Sequence, residues 1–265
     1  MQPDIECRPL ARSGSPPTDR RGRVIVSILA LALALALAAA FVARFVLARW
    51  SDAKVVHSVD IDDRVVALTF DDGPNPPDTN DLLEVLAERN VLATFFVIGR
   101  HLEAFPESAR AIVEAGHEIG SHSHHHRSMR GHRIAAIEAD LKRASAAIKG
   151  AVGRRPRVFR APYMSQGPGL RALLARRGMH SIGVSASGDD WRIFDPDEIE
   201  EKVRSAVVPG GIIALHDGHA EAEEPSSQAD RSATVRATGQ LIASLQREGY
   251  RFVTVSELLA LASGA

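Results

Sequence analysis

The chain holds a single cysteine, Cys7, in 265 residues, so it can form no intramolecular disulfide. A chain this long can stabilise one sizeable core without disulfides, so their absence does not argue against a location outside the cytoplasm. An excess of charge of either sign is also missing. With 32 basic and 33 acidic residues, the sequence lacks the strongly basic footprint of a bulk nucleic-acid binder, and no nucleic-acid partner is expected. Internal repeats are absent too, and the only low-complexity tract is a Leu-Ala run near the N-terminus.

That run sets the N-terminus apart. Residues 1–23 are rich in Pro, Ser and Arg and read as a disordered cytoplasmic tail. Val24 to Ala43 then carry no charge, a length sufficient to span a bilayer as a helix. Arg20, Arg21 and Arg23 stand immediately before it and favour a cytoplasmic N-terminus by the positive-inside rule. Residues 24–48 are therefore expected to be a single-pass membrane anchor and 49–59 a linker. The domain that follows, 60–261, would lie at the cell surface or in the periplasm. A cleaved signal peptide is the rival, with Ala38-Ala39-Ala40 as its cleavage site, but the run exceeds the usual apolar region of about 7–15 residues.

Beyond Asp60, strand-like and helix-like segments alternate. Strand signals fall at Val65–Phe70, Ala93–Ile98, Glu118–Ser121, Arg157–Arg160, Ser181–Val184, Gly211–Leu215 and Arg251–Val255. Amphipathic stretches between them include Asp81–Arg89, Ser108–Ala115, Arg133–Lys149, Gly169–Arg177 and Thr234–Glu248. This βα alternation predicts an α/β domain with a mostly parallel sheet covered by helices, either closed into a barrel or left open. Ala220–Asp230 is rich in Glu and Ser and reads as a long exposed loop.

Polar chemistry gathers where the strand signals end: at Asp71 and Asp72, His122 to His126, Arg160, Asp189 and Asp190, and His216 and Asp217. Parallel βα architectures bring the C-terminal strand ends to one face, so these clusters are expected to converge. Asp71 and Asp72 are adjacent carboxylates, which resist joint ionisation unless a cation stands nearby. A solvated Asp-Gly-Pro turn is the plainer reading of that segment. Gly120 to His126 contains four histidines in five positions. A helical turn would put His122 and His126 on one face, and two imidazoles with the Asp72 carboxylate form a ligand set suited to catalytic zinc. Spacing leaves His124 and His125 available as ligands as well. His216 ends a fully apolar stretch, as site residues often do. Asp217 after it either orients a histidine or starts a turn. Arg160 read alone is a structural or surface residue, and Trp191 read alone is core packing.

Five ordered blocks, Thr69–Pro74, His122–His126, Arg160-Ala161-Pro162-Tyr163, Asp190-Trp191 and Leu215-His216-Asp217, resemble the polysaccharide deacetylases of the NodB-homology group, carbohydrate esterase family four. The resemblance covers about residues 60–260. It implies a distorted, incomplete (β/α) barrel of about seven strands. It also implies Asp71 as general base, Asp72, His122 and His126 as metal ligands, and His216 as general acid. Arg160 and Asp190 would form an ion pair that tunes the catalytic carboxylate. Tyr163 would offer its backbone N–H to an oxyanion, and Trp191 would wall the acyl pocket. The cofactor implied is a divalent metal, zinc by default, although the same ligands accept cobalt, nickel or iron. His101, His117, His132, His180 and His219 receive no role. The sequence departs from the family pattern at Met164, where glycine is common, at Ser187, where aspartate is common, and at Ala214, where leucine usually lines the acyl pocket.

The expected activity is removal of N-acetyl groups from an amino-sugar glycan such as a chitooligosaccharide or peptidoglycan. Alternatives are de-O-acetylation of a cell-wall polymer, deacylation of a lipid-linked sugar, and a catalytically silent glycan-binding protein. The sequence specifies no oligomeric state.

Overall fold

The strand Val65–Asp71 (β1) contains the organising pattern of the domain. All seven residues are buried, but they serve two different surfaces. Val66, Leu68 and Phe70 join the larger apolar cluster. Val65 and Ala67 join a second cluster with Phe96, Val158 and Ile212. A strand alternates its side chains with period two, so Thr69 and Asp71 continue the Val65 and Ala67 face. That face therefore begins apolar and ends polar.

The computed structural model describes residues 20–52, 55–166, 169–220 and 230–264. The chain divides into two units, Met1–Val46 and Leu47–Ala265. The helix Arg20–Asp52 (α1) covers the Leu-Ala run. Its described apolar side chains, among them Ile28, Leu33, Leu37 and Phe41, are exposed. The expected membrane span is not borne out here, because among the described residues no helix is long and apolar enough to cross a membrane. Residues 1–19 of the expected tail, and 221–229 of the expected loop, lie outside the described residues.

In the second unit the elements run β1, α2 (Asp78–Glu88), β2 (Thr94–Val97), α3 (Gly99–Ala104), α4 (Pro106–Glu114), β3 (Glu118–Ser121), α5 (Ile134–Val152), β4 (Val158–Phe159), α6 (Leu170–Arg176), β5 (His180–Ser181), β6 (Ala186–Ser187), α7 (Pro196–Arg204), β7 (Ile212–His216), α8 (Ser232–Arg247), β8 (Arg251–Val253) and α9 (Val255–Ser263). All the strand pairings are parallel, in the order β5-β4-β3-β2-β1-β7-β6, with β8 also pairing β1. Among the described residues β5 and β6 do not pair, so the sheet curls into an open half-barrel. Among the described residues eight strands replace the expected seven or so. β6 is two residues long, too short to leave a periodic signal. Bridges at Val56 and Ser58 bring part of the expected linker into contact with Ile182 and Gly211.

The outer cluster lies under the helices, where Leu82 and Leu86 of α2 and Leu241 and Leu245 of α8 meet Phe70, Phe95 and Leu215. Each such fully buried side chain contributes on the order of 1.5–3 kcal/mol. The inner cluster fills the base of the half-barrel. Register then sets the chemistry: Asp71 pairs with His216 across β1 and β7. A one-residue slip would set Leu215 there and turn the imidazole to the other face.

Candidate active site

Asp71 is buried at the end of β1 and meets Arg160, which follows β4 and is fully buried. Arg160 Nη1 donates to Asp71 Oδ1 and to Thr69 Oγ1, each at 2.7 Å. Its Nη2 donates to the Gly183 carbonyl at 3.0 Å, and the guanidinium lies 4.2 Å from the Phe96 ring centroid. Burial alone would push the Asp71 carboxyl up, but the Arg160 charge, with His122 and His216 beyond it, holds it below the usual range. Asp71 thus remains an ionised proton acceptor.

Asp72 lines the same cleft as Asp71, and its backbone is left-handed at φ 74°. Its Oδ1 lies 3.4 Å from His122 Nε2 and 3.3 Å from His126 Nε2, and the two nitrogens are 3.2 Å apart. His122 Nδ1 donates to the Arg160 carbonyl at 2.9 Å, which turns its Nε2 into the site. Burial and the neighbouring His122 lower His126 to about 3, which makes its ring neutral. Asp72 Oδ1 is buried with no hydrogen-bond partner among the described residues, and burial pushes this carboxyl up. Three ligand atoms within 4.8 Å of one another, one of them a buried carboxylate oxygen without a hydrogen-bond partner among the described residues, are suited to a cation. Tetrahedral zinc ligands at 2.0–2.1 Å from the metal stand about 3.3 Å from one another. The three measured separations fit such a face, so these residues match a divalent metal.

The two histidines do not come together on a helical turn, as the spacing suggested. They occupy a loop after β3 in which Ser123 and His126 have φ of 70° and 54°. Ser123 Oγ accepts the His126 backbone N–H at 2.9 Å, and this local bond replaces a helix. The other two histidines turn away. The His124 backbone N–H donates to Asp140 Oδ1 and His125 Nδ1 pairs with Asp140 Oδ2, both at 2.7 Å.

His216 projects from the end of β7. Asp190 Oδ1 accepts from its Nδ1 and Asp190 Oδ2 from its backbone N–H, both at 2.8 Å. Burial would lower the imidazole, yet the Asp190 hydrogen bond and charge raise it to about 9. Thr234 Oγ1 donates to the same carboxylate at 2.8 Å, and Arg231 Nη1 to the Asp190 carbonyl at 3.0 Å. The expected ion pair of Arg160 with Asp190 is therefore replaced. Arg160 serves Asp71 and Asp190 serves His216, because the first lies beside β1 and the second beside β7. Asp217 does not orient His216 either. It accepts from Thr79 Oγ1 at 2.7 Å and packs against Gly73, where an added Cβ would lie 2.1 Å from its Oδ2. Burial pushes this carboxyl up to about 7.

Asp71, Asp72, His122, His126 and His216 line one cleft of about 550 Å³. Trp191 and Tyr163 line it too, at 57% and 62% exposure, so Trp191 is not core packing. The Tyr163 ring stands 4.6 Å from that of His126, and its backbone is left-handed at φ 54°. Met164, Ser187 and Ala214, the three departures from the family pattern, also border the cleft. Sequence reasoning missed Thr69, Arg231 and Thr234, which hold the charged groups in place. No periodicity could have signalled them, since each acts through a partner distant in the chain.

The family described as polysaccharide deacetylase matches residues 58–182. A chitooligosaccharide deacetylase of Bradyrhizobium sp. (strain ANU 289) is 39% identical over 198 residues, covering 74% of this chain and 90% of that protein. A peptidoglycan-N-acetylglucosamine deacetylase of Bacillus cereus is 31% identical over 207 residues, covering 77% and 92%. The crystal structure of the Bc1960 peptidoglycan N-acetylglucosamine deacetylase superposes with a TM-score of 0.72 at 26% identity, covering 79% of this chain and 94% of that one. With likeness this extensive across the unit that holds the cleft, the chain belongs to the polysaccharide deacetylase family and is a hydrolase of that kind.

Proposed function

We propose that the protein removes N-acetyl groups from an amino-sugar glycan, of the chitooligosaccharide or peptidoglycan class, in a metal-dependent reaction. The observation that carries this reading is a three-ligand cluster flanked in one cleft by a buried ionised carboxylate and a histidine that holds its proton. The relatives named as chitooligosaccharide and peptidoglycan deacetylases support the substrate class.

Asp72, His122 and His126 would hold the metal, with zinc proposed, and when bound it would polarise the acyl carbonyl and acidify a water. Asp71 takes one proton from the attacking water, whose oxygen joins the acetyl carbon. The backbone N–H of Tyr163 would stabilise the resulting oxyanion. His216 then gives its proton to the departing nitrogen as the C–N bond breaks, leaving acetate and a free amine. Arg160 and Asp190 keep base and acid in opposite protonation states until the substrate arrives.

We also infer, from the sequence, that residues 24–48 hold the protein at a membrane with its catalytic unit outside the cytoplasm. The charge-free run behind Arg20, Arg21 and Arg23 and the exposed apolar side chains of α1 support this. Retention in the membrane pellet after an alkaline wash is the expected result.

The deciding experiment compares acetate release by the detergent-solubilised full chain from N-acetylated oligosaccharides, acetylated xylan and lipid-linked acetylated sugars, before and after chelation. Release from the N-acetylated oligosaccharides, lost on chelation and restored by zinc, is expected. Release from xylan alone would sink the N-deacetylase reading, and tight zinc binding without hydrolysis of any glycan would indicate a binding protein.

A further inference from the structure

His101 lies in the first turn of α3 and is 3% exposed. Its Nδ1 stands 2.7 Å from the backbone carbonyl of Asp72. A carbonyl only accepts, so Nδ1 carries the proton. Among the described residues Nε2 has no hydrogen-bond partner, which leaves the bond to Asp72 as the ring's polar engagement. That carbonyl belongs to the left-handed residue whose carboxylate faces His122 and His126. Gly218 packs against the same carbonyl, since a Cβ there would lie 2.2 Å from the Asp72 oxygen.

The same helical turn also holds the histidine loop. The Gly99 N–H donates to the Ser123 carbonyl at 2.9 Å and the Arg100 N–H to the His124 carbonyl at 3.2 Å. Gly99 itself has no room for a side chain, because a Cβ would lie 2.4 Å from His124 Nδ1. The aspartate arm and the histidine arm of the triad, fifty residues apart in sequence, are therefore tied to one short element.

We propose that His101 is a positioning residue for the metal site: its hydrogen bond fixes the Asp72 peptide and so sets the separation of the Asp72 carboxylate from His122 and His126. The proposal rests on the reading of those three residues as metal ligands. A left-handed non-glycine residue is strained and persists only where its surroundings impose it. His101 and Gly218 impose it here. Outer partners of metal ligands typically govern about 10–100-fold in metal affinity.

The test is zinc affinity of the metal-free full chain, measured by chelator competition, with thermal melts of the metal-free protein alongside. His101→Phe keeps a ring but loses the donor, and zinc affinity is expected to fall at least tenfold. His101→Asn places its Nδ2 where the imidazole Nδ1 stood, and affinity is expected within about threefold of native. Affinity within threefold in His101→Phe would overturn the proposal, and so would equal weakness in both variants. Should His101→Phe fail to fold, His101→Leu takes its place. Failure of both to fold, with His101→Asn folded and binding normally, would assign the bond to the fold alone and also overturn it. A native chain that binds no zinc would instead remove the metal-ligand reading beneath it.

Discussion

The two flanks of the cleft use one physical device with opposite sign. On the β1 side, a carboxylate that burial would neutralise remains charged because Arg160 is buried against it. On the β7 side, an imidazole that burial would deprotonate keeps its proton because Asp190 is buried against it. The supports differ, however. Arg160 is anchored by a strand hydroxyl, a loop carbonyl and an aromatic face. Asp190 is anchored from α8 and from the backbone of His216 itself. The base side is thus locked into the sheet, whereas the acid side depends on a helix docked over it. What the comparison teaches is that proton direction across the cleft is set by these partners rather than by the reacting groups.

The largest expected effect comes from removing the reacting group on the first flank. Asp71→Asn should lower kcat by about 10²–10⁴-fold while zinc content stays near native, measured by acetate release and metal analysis. Near-normal turnover would end the assignment of Asp71 as base.

Next comes the support of that flank. Arg160→Met leaves Asp71 buried and unpaired, and should cost about 3–5 kcal/mol at neutral pH in urea unfolding. The sign follows from the depressed Asp71 carboxyl. Its stabilisation is present above the unfolded value of about 3.9 and lost as pH falls through the lower folded value. The native-to-variant difference should therefore shrink on acidification, and the acid limb of the activity profile should move to higher pH. A stability difference that does not change with pH would show that Arg160 acts by packing.

The smallest effect belongs to the second flank. In Asp190→Asn, His216 should drop from about 9 toward the ordinary value of about 6.5. An acid must hold its proton, so the alkaline limb of the pH–rate profile should shift downward, with most activity kept near pH 6. The raised histidine contributes stability that is complete below about 6.5 and lost as pH rises through about 9. Loss of stability in the variant should fade over that window, and an unmoved alkaline limb would remove Asp190 from the tuning of His216.

Much of this site was legible because each reacting residue ends a strand signal. Asp71, Arg160 and His216 follow apolar runs, and in a parallel sheet those ends share a face. His122 and His126 were identifiable as a pair, but the local geometry was not, because a left-handed loop and a helical turn give the same four-residue spacing. Pairing of charges was misjudged for a related reason. Arg160 and Asp190 both sit near the cleft, and only strand order places one beside β1 and the other near β7. His101 gave no signal at all, since its role depends on where one carbonyl 29 residues earlier points.

The sequence by itself determined the βα alternation, the buried strand β1 and the inventory of carboxylates and imidazoles at strand ends, because these follow from side-chain period and residue chemistry. Tertiary structure alone decided the curl of the sheet, the Asp71 to His216 register and the partner of each charge. Those depend on contacts between residues distant in the chain, and electrostatic energy in a buried site is set by separation in space, not in sequence.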